Sequence, residues 1–214
     1  MNEDISILNT KTRNEKIKNF FINNKKILIL ILTLIIFIFI FYFGYREIQE
    51  NKNKSLALKY NNTITKFDPL NKLNVKNELI NIIYEKNITY SPLALYFIID
   101  NEIQTSNDEI NNYFDVLINE TDLDEEVKNL IIYKKGLFNA NFETENNLIT
   151  ILKPVINSDS IWKSHALYLM AEYFLDKNQK QKAKEFFNQI VSNEKSNAKI
   201  ISESKKRLLK DFNE

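Results

Sequence analysis

The sequence predicts an all-α, membrane-anchored protein: one N-terminal transmembrane helix, then a stack of antiparallel helix hairpins ending in a closing helix. Three observations carry this. Residues Ile27 to Phe43 read ILILILTLIIFIFIFYF, without a charge or a helix breaker. The remainder shows apolar residues at helical spacing with only 2 Gly and 3 Pro in 214 residues, too few turn signals for an all-β chain. Two consecutive stretches also superpose on one another after a 35-residue slide.

The apolar block comes first. Fifteen of its seventeen residues are Ile, Leu or Phe, each favouring insertion by roughly 0.3 to 0.6 kcal/mol, which gives about 5 to 9 kcal/mol in all. Its length is about 25 Å, and Tyr42, Gly44 and Tyr45 extend it towards the ~30 Å hydrocarbon core. It outruns the h-region of a cleavable signal peptide and is followed by GYREIQE instead of small residues. Before it stand Lys11, Arg13, Lys16, Lys18, Lys25 and Lys26 against Glu3, Asp4 and Glu15, a net +3. Basic residues favour the cytoplasmic side, so the expected topology is N-terminus inside and everything after Arg46 outside. The expected segments are a basic tail at 1–26, the membrane helix at 27–45, a stalk helix and break at 46–70, and an extramembrane domain at 71–214.

Composition narrows the function. The chain is +1 overall, so about −2 remains beyond the tail, with both signs mixed and no basic stripe for nucleic acid. Zero cysteine excludes disulfides, thiolate metal sites and cysteine nucleophiles. Helices are expected at 46–66, 73–86, 91–104, 107–119, 123–139, 145–156, 160–176, 179–192 and 197–211. Three starts carry an N-cap acceptor with an acid or amide three residues on: Ser106 with Glu109, Asp122 with Glu125, and Asn178 with Gln181. Phe67-Asp68-Pro69 ends the stalk, because the residue before proline is pushed out of the α region.

The slide of 35 places Ile132 on Leu167, Gly136 on Ala171, Leu148 on Ala183, Leu152 on Phe187 and Val155 on Ile190. The second copy, with Leu167, Met170, Ala171, Phe174, Ala183, Phe187 and Ile190, resembles the tetratricopeptide pattern. Small residues there let paired helices approach while Phe174 and Phe187 fill the space between hairpins. An earlier unit runs through LALYFIIDNEIQTSNDEINNYFDVLINE, with Ile110, Phe114 and Leu117 on its second helix. Residues 197–212, apolar on one side and KKR on the other, form the closing helix of this tetratricopeptide-like α-solenoid.

The order of parts, with SDSIWKSHALYLMAEYFLDKNQKQKAKEFF in the domain, resembles the YfgM-like family of ancillary SecYEG translocon subunits, in its alphaproteobacterial branch. The likeness rests on Trp162, Ala166, Leu169, Ala171, Ala183 and the closing helix; residues 46–90 match in organisation only. It implies a bacterial inner-membrane adaptor with a periplasmic domain that contacts translocon subunits, a periplasmic chaperone and client proteins, with no cofactor. The same domain is shared with cell division coordinators, so a structural coordinator of envelope or division machinery is the alternative.

No catalytic constellation accompanies this. His165, the single histidine, has no positioned Ser or Cys, and the acids at Asp122, Asp124, Glu125 and Glu126 lack the Gly and closing Glu of a calcium loop. They read as a helix start favoured by the macrodipole. The candidate partner-binding residues are Trp162, Tyr168 and Tyr173. Trp162 suits either a hot-spot anchor or packing between the two copies. The expectation is a scaffold with protein partners and the lipid bilayer, binding no nucleic acid and no small-molecule substrate.

Overall fold

The computed structural model describes residues 15–212, which are helical almost throughout and include no strand. The chain divides into two compact units, one up to Ser55 and one from Leu56 onward.

In the first unit, helical residues 15–23 (α1) precede α2, Lys25–Thr65. This is the one helix among the described residues long and apolar enough to cross a membrane. Its apolar side chains have no protein around them: Phe37, Phe39, Phe41 and Phe43 are 55 to 75% exposed. The lone Thr33 hydroxyl donates to the Ile29 carbonyl at 2.8 Å, so even the polar exception in the block needs no water.

The second unit begins with the last turns of α2. Leu56, Tyr60, Ile64 and Phe67 pack on its core and the buried Thr63 hydroxyl donates to Glu78 Oε2 at 2.7 Å, so part of the segment expected as a stalk is a wall of the domain. Their i, i+4 spacing is the reason. After a turn closed by Asp68 Oδ1 accepting from Leu70 N come a 3-10 turn at Lys72–Val75 and eight helices: α3 (Lys76–Tyr84), α4 (Tyr90–Asp100), α5 (Asn107–Glu120), α6 (Glu125–Asn139), α7 (Glu145–Ile156), α8 (Lys163–Asp176), α9 (Lys180–Ser192) and α10 (Ala198–Asp211).

From α3 onward each helix packs on its sequence neighbour, and α3 also touches α5, α6 touches α8, and α8 touches α10. The closest pairs are α3 with α4, α6 with α7 and α8 with α9. The expected α4–α5 unit is therefore paired differently, since α4 offers its apolar surface chiefly to α3. All five apolar pairs matched by the 35-residue slide, from Ile132 and Leu167 to Val155 and Ile190, are buried. At Gly136 the reason is steric: a Cβ there would lie 2.4 Å from Leu152 Cδ2 and 2.8 Å from its Cγ. Glycine is what lets α7 seat its leucine against α6.

The core forms two clusters. Val75, Leu79, Ile82, Ile83, Leu95, Phe114 and Leu117 lie in one; Leu148, Leu152, Met170, Phe174, Phe187 and Ile190 lie in the other. The adjacent residues Ile131 and Ile132 of α6 serve different clusters, because neighbours on a helix face about 100° apart.

Capping partly follows expectation. Ser106 and Glu109 form the full capping box on α5. At α6 the N-cap is Asp124, not Asp122, and its side chain makes no capping bond. Asn178 does not start α9; at φ 57° it closes α8, with Asn178 N donating to the Leu175 carbonyl (2.9 Å) and Gln179 N to the Phe174 carbonyl (2.8 Å). Asparagine tolerates left-handed backbone as readily as it caps. Lys86 (φ 52°) and Glu102 (φ 50°) take the same conformation after α3 and α4, so this chain makes glycine-type helix ends without glycine.

Candidate functional site: a groove between α6, α8 and α10

Helices α6, α8 and α10 succeed one another along one face of the second unit, and between them lies a cavity of about 230 Å³. Helix α6 contributes Tyr133 and Leu137, α8 contributes His165, Tyr168, Leu169 and Glu172, and α10 contributes Ile200. On α8 these sit at i, i+3, i+4 and i+7, a single stripe. The opposite stripe of the same helix, Ala166, Leu167, Met170, Ala171 and Phe174, is fully buried. One face of α8 builds the core and the other lines the groove.

The groove repeats with the same period as the core. Tyr133 and Tyr168 are separated by 35 residues, as are Leu137, Glu172 and Arg207, and as are His165 and Ile200. Equivalent positions in successive hairpins thus meet across it.

At one end the rings cluster: Tyr133 stacks on Trp162 with centroids 6.0 Å apart and planes at 16°, and His165 lies 5.2 Å from Trp162 and 5.9 Å from Tyr133. Trp162 is half-buried at the start of α8, its backbone N–H donating to Ser160 Oγ, which itself donates to Glu126 Oε2 at 2.7 Å. At the other end charge takes over. Arg207 Nη2 donates to Glu172 Oε2 at 2.6 Å and Nη1 to Asp211 Oδ2 at 3.2 Å. Burial raises the Tyr168 hydroxyl above its ordinary range, with Glu172 adding to this and Arg207 opposing it. Burial likewise raises Tyr133. Both phenols stay neutral donors across the physiological range.

Two polar atoms are left over. Among the described residues, His165 Nδ1 and Glu172 Oε1 are buried with no hydrogen-bond partner. Such an atom costs about 1 to 3 kcal/mol when nothing meets it.

Of the residues singled out from sequence, Trp162 and Tyr168 belong to this region, with Tyr168 edge-on to Phe187 at 5.6 Å. Tyr173 does not. It is 8% exposed on another side of α8, its hydroxyl donating to the Glu143 carbonyl at 3.2 Å and Lys177 lying 5.5 Å from its ring. Sequence reading missed Tyr133, Leu137, Glu172, Ile200 and Arg207, although the slide that aligned the core aligns them too.

The acids at 122–126 are spread along a helix start, and among the described residues no group of three or more His, Asp or Glu side chains is placed to hold a metal. The arrangement offers aromatic stacking, apolar contact and a few oriented polar atoms, which is recognition chemistry. The chain matches no known family model, no curated protein and no solved structure.

Proposed function

We propose that this is a single-pass inner-membrane protein whose periplasmic, tetratricopeptide-like domain serves as a protein-interaction scaffold beside the SecYEG translocon, meeting periplasmic chaperones and client segments through the groove between α6, α8 and α10. The observation that carries the scaffold reading is the shared 35-residue period of the core and the groove: Gly136 and Ala171, Leu152 and Phe187 inside, Tyr133 and Tyr168 outside. A repeat stack builds its binding face from equivalent positions of successive units in this way. The apolar, exposed Ile27–Phe43 stretch supports the anchor, and the basic tail supports the orientation. Tethering raises the effective concentration of the groove for other membrane-bound partners, so weak contacts suffice. The translocon assignment rests on the order of parts described from sequence.

A photo-crosslinking amino acid at Leu137, which is 50% exposed at the groove, tests this in cells. Crosslinks to SecYEG subunits or periplasmic chaperones are expected. Crosslinks to division proteins with neither of these transfer the scaffold to envelope or division machinery.

A further inference from the structure

The N-terminal end of the membrane helix carries its own pattern. In α1, Ile17, Phe20 and Phe21 lie at i, i+3 and i+4, and Ile17, Phe20, Phe21 and Ile22 are 49 to 60% exposed. Phe21 and Ile22 on one side and Leu28, Ile29 and Leu32 on the other border a shallow trough of about 390 Å³ around Lys25. A cationic side chain is thus bracketed by apolar ones along the helix. A straight helix from Phe20 to Phe43 measures about 36 Å, longer than the ~30 Å hydrocarbon core. With the block Ile27–Phe43 in the hydrocarbon, Phe20, Phe21 and Ile22 fall in the headgroup layer. Apolar side chains placed there need cover, and lysines at that depth reach headgroup phosphates with their stems along the apolar surface.

The charges fit one kind of cover. Over 15–26, Lys16, Lys18, Lys25 and Lys26 face a single acid, Glu15, and among the described residues no carboxylate forms an ion pair with any of the four. Beyond Phe43 the pattern differs: Arg46, Lys52 and Lys54 are set against Glu47 and Glu50, and Lys54 is bound to Glu50 at 2.7 Å. The i to i−4 ladder continues through Asn24, whose backbone N–H and side-chain amide both donate to the Phe20 carbonyl, at 3.0 and 2.9 Å, while Leu28 N donates to the Asn24 carbonyl at 2.9 Å.

We propose that residues 15–26 are a binding site for anionic phospholipid: the four lysines hold headgroup phosphodiesters while Phe20, Phe21 and Ile22 sit among the tops of the acyl chains. This rests on the membrane placement of α2 proposed above and not on which proteins the domain meets. Clustered lysines beside a membrane helix draw anionic lipid from the surrounding leaflet.

The chain has no cysteine, so Asn19→Cys gives a unique attachment point for an environment-sensitive nitrobenzoxadiazole dye on the full-length protein. Placed in nanodiscs of phosphatidylcholine alone or with about one-third phosphatidylglycerol, the dye should be reduced by dithionite at least roughly threefold more slowly in the anionic discs. Adding Lys16→Gln, Lys18→Gln, Lys25→Gln and Lys26→Gln together should abolish that difference. Equal rates in the two lipids, or a slowing that survives the four substitutions, overturns the proposal. Phe20→Ser with Phe21→Ser keeps every charge and should still speed reduction in anionic discs; an unchanged rate overturns the insertion of the ring pair. A chain that co-elutes with neither kind of disc overturns the anchor itself, which is distinct from equal rates in both.

Discussion

Phenylalanine is used in two opposite ways in this chain. In α2, Phe37, Phe39, Phe41 and Phe43 stand at alternate positions and are more than half exposed, while in the second unit Phe114, Phe174 and Phe187 are at most 1% exposed and touch other rings, as Phe174 does Phe186 at 5.5 Å and Phe187 does Tyr168 at 5.6 Å. Alternate positions fall on opposite sides of a helix, so no one neighbour can cover them. The difference teaches that the first set is written for a solvent and the second for particular partners. A hydrocarbon covers any side without shape matching, whereas a packed core rewards each ring only at its own place.

The largest way to break the comparison is to remove the solvent match. Ile35→Asp with Ile38→Asp should cancel most of the insertion free energy, at about 2.5 to 3.5 kcal/mol per acid against a total of about 5 to 9. The double variant should wash from vesicles in alkaline carbonate, which leaves the unaltered chain in the pellet. Next, Phe187→Ala should lower the unfolding free energy of the domain by about 3 to 5 kcal/mol, since a cavity remains beside Tyr168 and Phe212. Phe39→Ala should leave domain melting unchanged. Equal losses of melting temperature for the two variants would erase the distinction.

Smaller effects sharpen the contrast within the domain. Glu102 holds a left-handed backbone after α4 with only a loose 3.7 Å approach to Lys72, so Glu102→Gly should stabilise by about 0.5 to 1 kcal/mol in chemical denaturation. The smallest effect concerns pH. The backbone N–H and hydroxyl of Ser106 hold the Glu109 carboxyl below its ordinary range. The folded state then binds this proton less readily than the unfolded chain, so the stabilisation is present above the unfolded pKa and is lost as pH falls through the lower, folded one. Glu109→Gln should lower Tm slightly near neutral pH and make the acid limb of Tm against pH shallower, the two proteins converging once the carboxyl of the unaltered chain is protonated.

Much of the fold was legible because helical period and length agree. The expected 107–119, 145–156 and 179–192 lie within one residue of the observed helices. What misled was residue chemistry with two uses. Asn178 reads as a start and serves as a stop, and Asp122 has the acceptor oxygen of a cap but stands two residues before the one that takes the role. The stalk expected at 46–70 left out the docking of Leu56, Tyr60 and Ile64, because a stripe at four-residue spacing needs just one neighbour and the sequence does not say which. The groove was half visible: Trp162 and Tyr168 stood out as aromatics, whereas Glu172 and Arg207 become distinctive only once their 35-residue spacing is read as a 2.6 Å bond.

Helix α6 is a party wall, with Ile131 in one room and Ile132 in the next. Besides α6, only Ile118 of α5 packs against both rooms among the described residues, so damage inside one has few routes into the other. Such a chain can lose local order on one side of α6 while the far side keeps its shape, so an injury near α3 need not disturb the groove lined by α8 and α10.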